Sequence, residues 1–129
     1  MPHHTDLTEA EWTLMEQLWA APGQTGRALT EALRAETGWS RSTTLTLLRR
    51  LTEKGAVRAA EQDGLFVYFP EVTREEAAAR QTRDLLGRVY HGSLSLLLSA
   101  MTQEESLSQA EIDELYAVLD EMEAKKTHD

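Results

Sequence analysis

The 129-residue sequence predicts a mostly α-helical fold with one small β-hairpin. Three observations lead there. Helical periodicity bounded by cap residues covers most of the chain, the period switches to two only between Ala56 and Phe69, and an Asp63-Gly64 pair interrupts that switch.

The first helix is announced by Thr8 with Glu11 three residues on, the spacing of a capping box in which each side chain bonds the other residue's backbone N–H. Trp12, Met15 and Trp19 follow on one stripe, which is expected to be buried, and Pro22-Gly23-Gln24 ends the element. A second helix spans about Gly26 to Thr37, with Ala28, Leu29, Ala32 and Leu33 expected inside and Gly38 as a left-handed stop. Trp39 is expected to pack in the turn, and Ser40 caps a third helix that runs to Lys54 and stops at Gly55. At about 100° per residue, Thr44, Leu47, Leu48 and Leu51 face inward. Ser42, Thr46, Arg49 and Glu53 point away, with Leu45 and Arg50 on the flanks.

Ala56–Ala60 and Leu65–Phe69 then read as two strands joined through Gln62-Asp63-Gly64. Three helices and a hairpin, with a short glycine-containing turn before the third helix, is the order of a winged helix-turn-helix. Pro70 closes the hairpin, and a second capping box, Thr73 with Glu76, opens a helix to about Tyr90 with Ala77, Gln81, Leu85 and Val89 aligned. After a break at His91-Gly92, Ser93–Met101 is too short to span a bilayer and too apolar to be left wet. A third box, Ser108 with Glu111, starts a last helix that is expected to fray from Lys125 to Asp129.

This divides the chain into a winged-helix DNA-binding domain at residues 1–72 and a helical dimerisation region at 73–129. The second region holds more apolar stripe than a winged helix can cover: Leu94, Leu97, Leu98, Ile112, Leu115, Tyr116, Leu119 and Met122. Burying a large side chain is worth roughly 1.5–3 kcal/mol, so a two-fold homodimer that shares this stripe is expected. The alternative is that these helices fold back on their own winged helix.

A net charge of −9 is unusual for a protein that grips phosphates. Between Ser40 and Ala60, however, Arg41, Arg49, Arg50, Lys54 and Arg58 face a single acid, Glu53. Such segregation suits one docking face on an acidic body, and it also suits a merely solvated helix. On the first reading Ser42, Thr43 and Thr46 are short enough to approach base edges. Arg41, Arg49, Arg50 and Arg58 then anchor phosphates of double-stranded DNA, with Lys54 a weaker candidate. A winged helix can also serve as a protein adaptor without specific DNA binding, and that alternative stays open.

An enzyme is not expected, because no nucleophile-base set and no phosphate-cradling glycine loop is present. No cofactor is implied. No metal site is expected: there is no cysteine, and His3, His4, His91 and His128 lack ligand spacing. Glu104, Glu105, Glu111, Asp113 and Glu114 sit near helix starts, where the helix dipole favours acids. The opening Met1–Asp6 lacks the features of a signal peptide and no long apolar run follows, so a cytoplasmic protein without direct membrane insertion is expected.

Ala10-Glu11-Trp12 with Met15 and Leu18-Trp19, Thr43–Leu51 followed by Glu53–Val57, Tyr68, Tyr90–Ser93 and Ile112–Leu115 together resemble the penicillinase-repressor (BlaI/MecI-type) family of winged-helix transcriptional regulators. The resemblance covers nearly the whole chain. It implies a homodimeric repressor on a palindromic operator in a β-lactam-resistance or related stress-response circuit, with the positions of Ser42, Thr43, Leu45 and Thr46 facing the bases. Serine at 42 and leucine at 45 depart from longer basic side chains, which implies a different operator sequence. It further implies a membrane sensor protease as partner, cutting near Ser99, Ala100 and Met101, although the asparagine-aromatic pair that goes with such a cut is absent. Release through C-terminal cysteines, as in copper-responsive members, is impossible in a chain that has none.

Overall fold

A computed structural model of the chain describes residues 7–104 and 107–128. The elements are α1 (Glu9–Ala20), β1 (Gln24–Thr25), α2 (Gly26–Thr37), α3 (Arg41–Lys54), β2 (Val57–Gln62), β3 (Leu65–Pro70), α4 (Arg74–Val89), α5 (Leu94–Glu104) and α6 (Gln109–His128). The expected mostly helical fold with a small hairpin is present, and the chain divides into two compact units after Asp84.

The caps act as the sequence indicates. Thr8 and Glu11 close a reciprocal box on α1, Ser40 caps α3, and left-handed Gly38 and Gly55 end α2 and α3, while Thr25, a cap not among those expected, opens α2. Each cap satisfies backbone groups that a helix end leaves without partners, so the element boundaries are set locally.

The core of the first unit gathers Leu14, Met15 and Leu18 of α1, Leu29 and Leu33 of α2, and Leu47, Leu48 and Leu51 of α3. Ala56, Val57, Val72 and Ala77 join them from the chain that follows α3. Two expectations need correction. Ala28 is exposed, because the inward face of α2 is centred on Leu29, Thr30 and Leu33, and the Thr30 hydroxyl donates to the Gly26 carbonyl at 2.7 Å. Trp12 and Trp19 border the core rather than fill it; they pack edge to face at 5.1 Å, and the Trp19 indole N–H donates to the Val72 carbonyl.

The sheet is antiparallel, in the order β1-β3-β2. Asp63 and Gly64 both have positive φ, 53° and 80°, giving the two-residue turn whose twist matches paired strands. The hairpin is therefore longer than expected, with Gln62 opposite Leu65. The two residues of β1, outside the expected elements, pair with Val67 and Tyr68. The first unit reaches beyond residue 72 because the first half of α4 belongs to its packing: Ala77 is fully buried, and the Gln81 amide donates to the Leu7 carbonyl.

In the second unit α4 ends at Val89, and left-handed His91 and Gly92 turn the chain away, with the Gly92 N–H bonded to the Leu86 carbonyl at 2.8 Å. Ser93 then caps α5 through the Leu96 N–H, and Ser108 with Glu111 opens α6. That helix does not fray at Lys125 but continues to His128. Ala124, Lys125 and Lys126 are good helix formers, and the two lysines complement the negative end of the helix dipole.

Candidate nucleic-acid interface

The third helix owes its orientation to one apolar face. Thr44, Leu47, Leu48 and Leu51 are buried, which turns Arg41, Ser42, Thr43, Arg49 and Arg50 into solvent. Arg41, Arg49 and Arg50 form no ion pair with any described residue, so α3 offers one guanidinium opposite its buried face, Arg49, and one on each flank. These guanidiniums outnumber the exposed acids beside them, Glu53 on α3 and Glu31 in the groove of Arg41, and so make a local positive field on a chain of net charge −9.

The remaining expected residues are placed less simply. Thr43 is exposed, but its hydroxyl shares a hydrogen bond with the Ser40 cap at 3.1 Å. Thr46 is half-buried rather than fully outward. Leu45 is also half-buried and leans on the core, its side chain beside Gly26 and lining grooves on both sides of α3. Arg58 lies at the root of the hairpin, where its Nε donates to Glu71 at 2.6 Å and its guanidinium stacks 4.7 Å from the Phe69 ring centre. Lys54 donates to Glu11 at 2.5 Å, which commits its ammonium to the protein's own interior.

Two groups of residues escaped the sequence reading. Arg27 and Arg34 of α2 line a groove of about 320 Å³ together with Arg41 of α3. Their helical spacing was visible, but nothing in the sequence said that α2 would present them beside Arg41. Leu65 and Phe66 are 60% and 58% exposed near the hairpin tip. Leu65–Phe69 is a continuous apolar run, so alternation could not tell which members face outward.

The expected second surface lies entirely within the second unit. Leu94 and Leu98 of α5 and Ile112, Leu115, Tyr116, Leu119 and Met122 of α6 line one apolar groove of about 390 Å³. Leu97 is half-buried outside that lining. Ser99, Ala100 and Met101 are helical, in the second half of α5. Among the described residues no His, Asp and Glu cluster could hold a metal ion, and no helix is long and apolar enough to cross a membrane. His3, His4 and Glu105 lie outside the described residues.

The sequence profile of the penicillinase repressor family matches residues 7–121. The chain belongs to that family. Among its relatives, the methicillin resistance regulatory protein MecI of Staphylococcus aureus (strain N315) is 27% identical over 114 residues, 88% of this chain and 93% of MecI. The penicillinase repressor of Bacillus licheniformis is 28% identical over 120 residues, 93% and 94% of the two chains. Two solved structures resemble this member of the penicillinase repressor family. One is the solution structure of the DNA-binding domain of the repressor BlaI, with a TM-score of 0.53 and 26% identity over 59% of this chain and 93% of that one. The other is monomeric Bacillus licheniformis BlaI in complex with the blaP half-operator, with a TM-score of 0.51 and 27% identity over 55% and 87%.

Proposed function

We propose that this family member is a transcriptional repressor, a binding protein rather than an enzyme, that docks α3 in the major groove of operator DNA. The observation that carries the reading is that Arg41, Arg49 and Arg50 of α3 are all exposed, with Arg49 directly opposite the buried face and the other two on its flanks, and none has an ion pair to a described residue. Phosphate contacts of this kind set register, while Ser42, Thr43, Thr46 and the accessible part of Leu45 approach base edges. Arg58 adds a flanking phosphate contact with the part of its charge that Glu71 leaves available. The same domain type in a relative is described in complex with a half-operator, which supports the assignment.

A single winged helix reads few base pairs, so specificity calls for two. The apolar groove of α5 and α6 is the surface proposed to pair two copies, so that each copy brings one winged helix to one half of a palindrome. Release by a membrane sensor protease at Ser99–Met101 would need α5 to open locally first, since a cut requires extended backbone where a helix now runs. Such a repressor works in the cytoplasm, where its operator is.

Selection of bound sequences from a random duplex pool by the full-length chain tests the reading, and enrichment of a palindrome is expected. Arg49→Ala with Arg50→Ala should weaken binding on all duplexes and flatten the salt dependence by about two units at most. Enrichment of no sequence, or affinity indifferent to the double change, would assign this winged helix to a protein partner instead.

A further inference from the structure

Between α3 and the hairpin runs an open groove of about 280 Å³. Leu45, Leu48 and Arg49 form the helix wall, and Ala59, Phe66 and Tyr68 form the hairpin wall. Ala59 pairs with Tyr68 and Glu61 with Phe66, so these side chains share one face of the sheet, the face turned toward α3. Tyr68 leans on the core, but Phe66, two residues nearer the tip, is 58% exposed. A phenylalanine held this open beside a positively charged helix is a contact waiting for a partner.

The charges of the hairpin narrow what that partner can be. From Val57 to Pro70 its only basic residue is Arg58, which sits at the root on the opposite face and is held by Glu71. The tip carries Glu61 and Asp63 and no base. The hairpin therefore cannot hold a phosphate near its tip by charge, and the cation of this groove comes from the other wall, Arg49. A sugar–phosphate strand alternates an anionic group with the carbon-rich face of a deoxyribose, and the groove opposes a guanidinium to an aromatic ring. Two copies docked groove to groove fit poorly, since each would bring Arg49 and its neighbour Arg50 against like charges.

We propose that this groove seats one sugar–phosphate strand of duplex DNA, with Arg49 on a phosphate and the Phe66 ring packed on the neighbouring deoxyribose. The inference rests on the DNA-binding reading above and deepens it. It makes the hairpin an apolar reader of the backbone, whose contribution to affinity does not depend on salt, alongside an α3 whose contribution does.

The test uses full-length protein and a duplex carrying the sequence that the wild-type chain enriches from a random pool, titrated across a range of salt. Phe66→Ser should weaken binding roughly five- to tenfold at every salt concentration with the wild-type slope, the loss expected for one aromatic contact. Phe66→Leu, which keeps an apolar side chain, should stay within about twofold of wild type, and Arg49→Ala should lower the slope by about one. Hydroxyl-radical cleavage, which attacks deoxyribose, should show sugars protected by the wild type and re-exposed by Phe66→Ser. The proposal is overturned if Phe66→Ser binds and protects like wild type, which would leave the groove to a protein partner, or if its loss appears in the slope. A wild-type chain that enriches no duplex would instead overturn the DNA-binding reading itself.

Discussion

Lys54, the last residue of α3, donates its ammonium to Glu11 on α1 at 2.5 Å, and the same carboxylate oxygen accepts the Thr8 backbone N–H at 2.9 Å. One carboxylate, 1% exposed, thus closes the cap of the first helix and ties down the end of the helix proposed to enter DNA. Burial pushes this carboxyl up, but the hydrogen bonds from Lys54 and from the Thr8 backbone outweigh it and hold Glu11 below the ordinary carboxylate range. Because the folded-state value is depressed, the stabilisation is present above the ordinary value of 4.5 and is lost as pH falls through the folded-state value. Glu11→Gln should cost about 1–3 kcal/mol at neutral pH. Its melting temperature should also fall less than that of the wild type on acidification from about pH 6 to 3, a difference that calorimetry at a series of pH values would read.

Thr44 lies on the buried face of α3 at 0% exposure, and its hydroxyl has no hydrogen-bond partner among the described residues. A hydroxyl that loses water without gaining a partner is destabilising, whereas valine has nearly the same shape and no such need. Thr44→Val should raise unfolding stability by about 1 kcal/mol in a denaturant titration with an unchanged slope.

Gly64 and Gly87 separate backbone strain from crowding, since a Cβ at either position would meet nothing within 4 Å. Gly64 has φ +80°, where an L side chain is strained, so Gly64→Ala should cost about 1 kcal/mol. Gly87 lies inside α4 without a positive φ, so Gly87→Ala should add about 0.5–1 kcal/mol through helix propensity. Opposite shifts in melting temperature are the expected result.

Leu115 lines the α5–α6 groove and remains 37% exposed, with Tyr116, Leu119 and Met122 more exposed still. If this surface joins two copies, Leu115→Asp sets an unpaired charge in an apolar contact and should yield monomers by sedimentation. A variant that still sediments as a dimer would move the contact away from α6.

Much of this architecture is readable in short-range chemistry. Thr8 with Glu11, Ser40, Gly38, Gly55, Thr73 with Glu76, and Asp63-Gly64 each act on atoms a few residues away, so their geometry follows from spacing alone. What escaped the sequence depends on partners far along the chain. The strand Gln24–Thr25 is too short to show a period and exists only because Tyr68 and Val67 lie beside it. Glu11 reads as an exposed cap until Lys54, 43 residues away, buries it. The inward lean of Leu45 needs the position of Gly26, and the exposure of Phe66 needs the register of the hairpin. The outward position of Arg49 on α3 was legible because one buried helical face fixes the opposite one.

The short β1 strand also gives the hairpin a gradient of stiffness. At Val67 and Tyr68 the central strand is bonded on both sides, and the Gly23 N–H adds a bond to the Tyr68 carbonyl at 2.8 Å. At Leu65 and Phe66 only β2 remains as a neighbour. Amide protons at the root should therefore exchange slowly and those at the tip quickly. The tip can flex to follow a double helix whose width varies along its length, while the root keeps the hairpin in fixed alignment with α2.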